Sequence, residues 1–231
     1  MASIVTVNRG AQSGTPFGFN SGQKDADRGS AFFTDFYELG PIAVGTDFAL
    51  VDGDGGVLQN SSGADASHCG TDKIYTGALD STMSFACRFK MSARTNGDIA
   101  GFGMAPASNA ALSGQTTRLG FTITQATAVA DDTVSVEFDD ATTDGTTVIT
   151  TAGLPDGYDS TNYHTYGVEL TRDSQGGVDR NRAAFYVDGK LIKEVVGSGA
   201  AMPAHKWMCY QGAETSLATF DWLSFSGPRP S

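Results

Sequence analysis

Glu137 and Asp139 stand on either side of Phe138 in the run Thr133-Val134-Ser135-Val136-Glu137-Phe138-Asp139-Asp140. Alternate residues of a strand share a face, so the two carboxylates lie together, opposite Val134, Val136 and Phe138. Two carboxyl groups flanking a bond, one ionised and one protonated, are what glycoside hydrolysis requires. The competing reading is a solvated strand end that runs into an Asp139-Asp140 turn, and the sequence favours it. Asp52-Gly53-Asp54-Gly55-Gly56 opens like a calcium loop. A calcium loop of the helix-loop-helix type also needs a bidentate Glu at its twelfth position, and Gly63 stands there. A Gly-rich turn between strands is therefore expected.

Other chemistries find less support. His68, His164 and His205 are scattered, with no partner at metal-ligand spacing, and zinc needs three or four such ligands. Cys69, Cys87 and Cys209 are odd in number and widely spaced, with no CxxC pair. They read as free thiols in a reducing compartment, with one disulfide plus a free thiol as the alternative. There is no nucleophile elbow, no phosphate-binding glycine loop and no dinucleotide fingerprint. No cofactor is expected. Aromatic platforms for a sugar ring are sought among Trp207, Tyr210, Tyr158 and Tyr163. Trp207 shares a strand with Cys209 and reads as core. Tyr158 and Tyr163 lie in or beside the Gly/Asp-rich loop and are the expected exposed glycan contacts.

The elements that must position these groups are strands. Only 5 Glu and 6 Lys occur among 231 residues, against 29 Gly. Good helix formers are scarce, which excludes a helical bundle. No stretch shows a sustained 3.6-residue apolar period. Two-residue alternation is clear at Met83–Met91, Leu119–Ile123, Val134–Phe138, Tyr166–Leu170 and Ala183–Val187. Asp188-Gly189 between two such runs is a type I′ hairpin signal. Ten or more short strands exceed one open sheet. The expectation is an all-β, two-sheet antiparallel sandwich of jelly-roll type over residues 32–231, preceded by an extended N-terminal arm over residues 1–31. The arm is polar and glycine-rich, with Phe17 and Phe19 isolated in Thr15-Pro16-Phe17-Gly18-Phe19-Asn20. It has too little apolar content to fold alone, so Phe17 and Phe19 are its expected contacts with a neighbouring subunit.

Net charge is −11. A chain so acidic and without a basic stripe is not expected to bind nucleic acid or an anionic membrane. No apolar run is long enough to cross a bilayer as a helix, and the first residues lack the pattern of a signal peptide.

Three segments carry a resemblance. They are Tyr163-His164-Thr165-Tyr166-Gly167-Val168-Glu169-Leu170, Ala184-Phe185-Tyr186-Val187-Asp188-Gly189-Lys190-Leu191 and Thr219-Phe220-Asp221-Trp222-Leu223-Ser224-Phe225. In this order they resemble the concanavalin A-like lectin/glucanase superfamily, with its laminin-G-like modules. Met83–Met91 resembles an early strand of the same group. The resemblance spans roughly Ala31 to Gly227 and implies a jelly roll of two curved sheets. The family-16-type glucanases of this group carry Glu-x-Asp-x-(x)-Glu on one strand. Glu137 and Asp139 match the first two positions, but Ala141 and Thr142 stand where the acid/base belongs. The resemblance therefore implies a protein that is not an enzyme. An extracellular-type sandwich without a signal peptide, with free thiols and a polar arm, is similar in plan to the decoration proteins of tailed phages. The expected role is a virion structural protein made in the host cytoplasm. Its expected partners are further copies of itself, forming a homo-oligomer, and the major capsid protein. A carbohydrate-binding module for a surface glycan is the alternative, and a glycoside hydrolase the remaining one.

Overall fold

Valines, phenylalanines and threonines at alternating positions make strands, and the strands pair into two sheets. The computed structural model describes residues 30–34, 42–44, 47–51, 56–60, 67–71, 81–107, 109–198, 205–212 and 215–227. Phe17, Phe19 and Asp52 to Gly55 lie outside the described residues. Among the described residues, fifteen strands run in chain order: β1 Ser30–Thr34, β2 Ile42–Val44, β3 Phe48–Val51, β4 Val57–Asn60, β5 Ser67–Thr71, β6 Ser81–Met91, β7 Ile99–Ala105, β8 Thr117–Thr124, β9 Thr133–Asp140, β10 Thr147–Thr150, β11 His164–Gln175, β12 Val178–Val187, β13 Lys190–Val196, β14 Lys206–Gln211 and β15 Ala218–Gly227. Among the described residues the only helical segments are three short 3₁₀ turns. None is long and apolar enough to cross a membrane.

The first sheet has the order β13-β12-β11-β6-β15-β4-β3, with β1 beside β15. The second has the order β10-β9-β8-β7-β14-β5-β2. Each described strand pairing is antiparallel. This is the all-β, two-sheet sandwich that the alternation predicts, and all five expected strands lie within it. Asp188 and Gly189 join β12 to β13 with φ of 47° and 82°, the positive angles that a type I′ turn demands.

The inward faces are aromatic. Phe85, Phe89, Tyr166, Phe185, Phe220 and Phe225 of the first sheet meet Phe102, Phe121, Phe138 and Trp207 of the second, all buried. Cys69, Cys87 and Cys209 are free thiols in the same core. Cys87 and Trp207 thus occupy the interior places their strands predict.

The second sheet carries Gly101, Gly103 and Gly120 on its outer face. Gly103 lies directly opposite Gly120 across β7 and β8. A Cβ on Gly120 would sit 2.3 Å from the Phe102 carbonyl oxygen and 2.8 Å from the Gly103 Cα. Backbone atoms cannot swing aside, so the two strands approach this closely only as a glycine pair. The bare surface receives Leu112, which packs on Ala105 and Met208 as a small second core outside the sandwich.

Gly120→Ala should therefore lower stability by more than about 2 kcal/mol, because overpacking against backbone has no outlet. Gly114→Ala, where a Cβ meets nothing within 4 Å, should stay within about 0.5 kcal/mol of the parent. Urea midpoints of the two variants check the contrast.

Candidate functional site

Arg118 on β8 points outward from the second sheet, directly opposite Asp139 on β9. Its neighbour Gly120 faces Glu137 and offers no side chain. The Arg118 side chain can therefore lean across the gap to both acids. Its Nε donates to Glu137 Oε2 at 3.1 Å, and its Nη1 to Asp139 Oδ2 at 2.9 Å. Nη1 also donates to the Gln115 carbonyl at 2.7 Å. Nη2 donates to Asp144 Oδ1 at 3.3 Å and Thr146 Oγ1 at 2.9 Å. A guanidinium has five N–H donors, and these contacts employ all of them.

The turn from β9 to β10 closes over this pair. Asp139 Oδ1 accepts from the Ala141 N–H, and Asp144 Oδ1 from the Thr146 N–H. Such short-range bonds are why Asp initiates turns. The Thr146 backbone and hydroxyl, assisted by Arg118, hold the Asp144 carboxyl below its ordinary range. Thr146 Oγ1 also donates to Glu137 Oε2 at 3.3 Å. The Glu137 side chain is 3% exposed and Arg118 8%. The expected solvated strand end is corrected here: Glu137 is buried and paired. Asp140 turns the other way, into the sandwich. It accepts from Asn181 Nδ2 at 3.0 Å and the Ser198 N–H at 2.9 Å. Burial raises its carboxyl, but these donors with Thr142 and Thr143 outweigh that and lower it.

Glu137 and Asp139 thus share one cation under a closed turn. Neither lines the depression on this face. The opening on this face lies beside them. A depression of about 210 Å³ is lined by Ile99, Gly101, Leu112, Thr122, Tyr210 and Gly212, among others. Gly101 leaves its floor flat, and the half-exposed Tyr210 forms one wall. Tyr210 follows from alternation, since Trp207 and Cys209 point inward. The alternating Gly101 and Gly103 were the available signal for the floor. The loop that brings Leu112 over it had none.

The two tyrosines expected to contact glycan behave differently. Tyr158 is buried, which corrects its expected exposure. Its hydroxyl lies 2.8 Å from that of Tyr166, and its ring stacks on His164 at 4.6 Å. Burial pushes its hydroxyl far above the ordinary range. Tyr163 is half-buried on the outer face of the first sheet. Arg88 and Lys90 lie over its ring at 4.8 and 4.6 Å. Arg88 in turn binds Asp221 at 2.6 Å. Nothing brings Tyr158, Tyr163 and Tyr210 into one site.

A third cluster ties the loops at one end. Arg94 donates to Asp132 at 2.7 Å and to Asp159 at 2.5 Å. His164 Nδ1 lies 2.5 Å from Asp188 Oδ2, and its Nε2 meets the Asp159 backbone. With both ring nitrogens engaged, His164 anchors the loop. Burial raises the carboxyls of Asp132, Asp159 and Asp188, but their donors outweigh it and each ends below its usual range. Among the described residues no group of three or more His, Cys, Asp or Glu is placed to hold a metal ion.

No protein-family model and no curated protein sequence matches the chain. Solved structures do match in fold. The carbohydrate recognition domain of Emp47p superposes with a TM-score of 0.53 at 13% identity, over 89% of this chain and 100% of that one. Peanut lectin gives 0.50 at 13%, over 88% and 99%. The kappa-carrageenase of Pseudoalteromonas carrageenovora, solved with an oligotetrasaccharide of kappa-carrageenan, gives 0.50 at 12%, over 88% and 98%. The chain therefore has a lectin-like jelly-roll fold, shared by carbohydrate-binding proteins and glycoside hydrolases.

Two outcomes follow from these charge clusters. Arg118→Leu leaves Glu137 buried without its cation and should cost about 3–5 kcal/mol. Adding Glu137→Leu should recover most of that loss, as urea denaturation would show. Asp132, Asp140, Asp159 and Asp188 are all lowered on folding. Their contribution is complete above the unfolded aspartate value of about 3.9 and is lost as pH falls through the folded values. Thermal midpoints should be level at higher pH and drop below about pH 4, with a shallower fall in Asp132→Asn.

Proposed function

We propose that the chain is a non-catalytic, lectin-like surface component of a tailed-phage virion, bound to the capsid as a decoration protein. The observation that carries the non-catalytic part is the capture of Glu137 and Asp139 by one guanidinium, 3.1 and 2.9 Å away. Retaining hydrolysis needs one carboxylate free to attack and a second carboxylic acid to protonate the leaving oxygen. Ala141 and Thr142 supply no such acid. The virion setting is supported by the acidic charge, the three reduced thiols and the segment that precedes β1. That segment holds Phe17 and Phe19 and would contact a neighbouring copy or the major capsid protein.

A second reading is favoured by the depression beside Tyr210. An apolar floor with an aromatic wall suits the C–H face of one sugar ring, and hydroxyls such as Thr122 and Ser113 can take its polar edge. The likeness to a carbohydrate recognition domain and a lectin supports it.

The two readings separate experimentally. The purified protein should release no reducing sugar from β-glucans or carrageenan; release abolished by Glu137→Gln would overturn the non-catalytic reading. Deleting residues 1–29 should abolish co-sedimentation with capsids while the sandwich keeps its thermal midpoint. Unchanged co-sedimentation would count against the decoration role. On a glycan array, binding weakened about tenfold or more by Tyr210→Ala would establish the second reading instead.

A further inference from the structure

Cys209 on β14 stands directly opposite Cys69 on β5. Both are fully buried, and both point into the core between the sheets. Directly opposed residues of an antiparallel pair hold their Cα atoms about 4.5–5.5 Å apart. A disulfide spans about 4.4–6.8 Å. The backbone therefore already has the separation of a bridge. Cys87 is the third thiol nearby, but it belongs to β6 of the facing sheet. Packed sheets stand about 10 Å apart, beyond the reach of a disulfide without backbone movement. The three sulfurs are not arranged to hold a metal ion.

We propose that Cys69 and Cys209 form a redox clasp, open as free thiols in this structure and closed by a small-molecule disulfide such as oxidised glutathione. The step balances. The Cys69 thiolate attacks one sulfur of glutathione disulfide and releases a glutathione thiolate. The Cys209 thiolate then attacks the mixed disulfide and releases the second. The protein loses two hydrogens, and one glutathione disulfide becomes two glutathiones. Access is through the sheet edge. Among the described residues, β5 is covered on its open side by the three-residue β2, in which Val44 pairs with Cys69. Separation of so short an edge strand is a small local opening. It exposes Cys69 first, and buried thiols stay inert until it happens.

The clasp would tie β5, a strand near the sheet edge, to the more interior β14. It would also close a chain loop that contains most of the sandwich. Long loops gain most from a crosslink in the chain-entropy view. A protein made in a reducing cell and then exposed to an oxidising medium would be stiffened after leaving it. The inference does not depend on the ligand or partner proposed above.

The test uses the full chain, purified with reductant and then transferred to oxidised glutathione at mildly alkaline pH. Free thiols are alkylated after unfolding and mapped by peptide mass. The expected product has one alkylated cysteine, Cys87, and a Cys69–Cys209 peptide pair lighter by two hydrogens. Its thermal midpoint should rise by about 5–15 °C. Cys87→Ala should behave like the parent, and Cys69→Ala should form no internal bridge. The proposal is overturned by three alkylated cysteines where an unfolded control oxidises fully. Glutathione left on a single cysteine, a bridge that includes Cys87, or a Cys69–Cys209 bridge that does not raise the midpoint would overturn it equally.

Discussion

Phe102 and Phe121 of one sheet reach into the rings of Phe89, Tyr166, Phe185 and Phe220 on the other. Phe89 and Phe102 lie 4.7 Å apart between centroids, Phe102 and Tyr166 5.2 Å, Phe121 and Tyr166 5.3 Å, and Phe121 and Phe185 5.7 Å. Most of these pairs are tilted or edge-on, the arrangements that ring quadrupoles favour, each worth about 0.5–1.5 kcal/mol beyond burial. This contact fixes register as well as stability. A slip of one residue on β6 would turn Phe85, Cys87 and Phe89 outward and bring Arg88 and Lys90 into the core. The same alternation on β8 and β9 turns Leu119, Phe121, Val136 and Phe138 inward and leaves Arg118 and Asp139 on the outer face.

The charge pattern follows from the same constraint. Twenty-six acids against fifteen lysines and arginines would repel one another if left to solvent alone. Instead a few arginines each collect several carboxylates at positions where strands or loops must meet. Arg118 holds β8, β9 and the following turn together, while Arg94 joins Asp132 to Asp159. A buried pair of this kind adds little net stability over an apolar replacement, but losing one partner is expensive. Such clusters therefore enforce which loops adjoin more than they strengthen the fold.

The inward half of each strand was legible because it depends on a local two-residue period. Met83–Met91 and Val134–Phe138 could be assigned without knowing their partners, and Asp188-Gly189 named its own turn. Tyr158 was not legible. It sits in a polar loop, and its burial depends on Tyr166 and His164, which approach it only after the sheets pack. The fate of Glu137 was hidden for the same reason. Arg118 lies nineteen positions away, and nothing local in either strand announces that a guanidinium will lie over the acid. Short strands such as β2 and β5 carry too few residues for a period to show at all.

Glu137-x-Asp139 has the spacing of a hydrolytic strand on a fold that hydrolases share, and the surrounding structure decides what that spacing does. A catalytic carboxylate must stay solvated or be tuned by a neighbour while facing substrate. Here the facing residue is Gly120, and the vacancy it leaves is filled by the arm of Arg118. The glycine that lets β7 and β8 approach closely thus also leaves room for Arg118 to pair with both acids. The open surface shifts along the same face to Gly101 and Tyr210, where the lining is apolar and aromatic. Chemistry that moves protons needs the first arrangement, whereas recognition of a ring or a flat apolar group needs only the second. On this face the apolar and aromatic surface is open, and the paired acids are held under a turn.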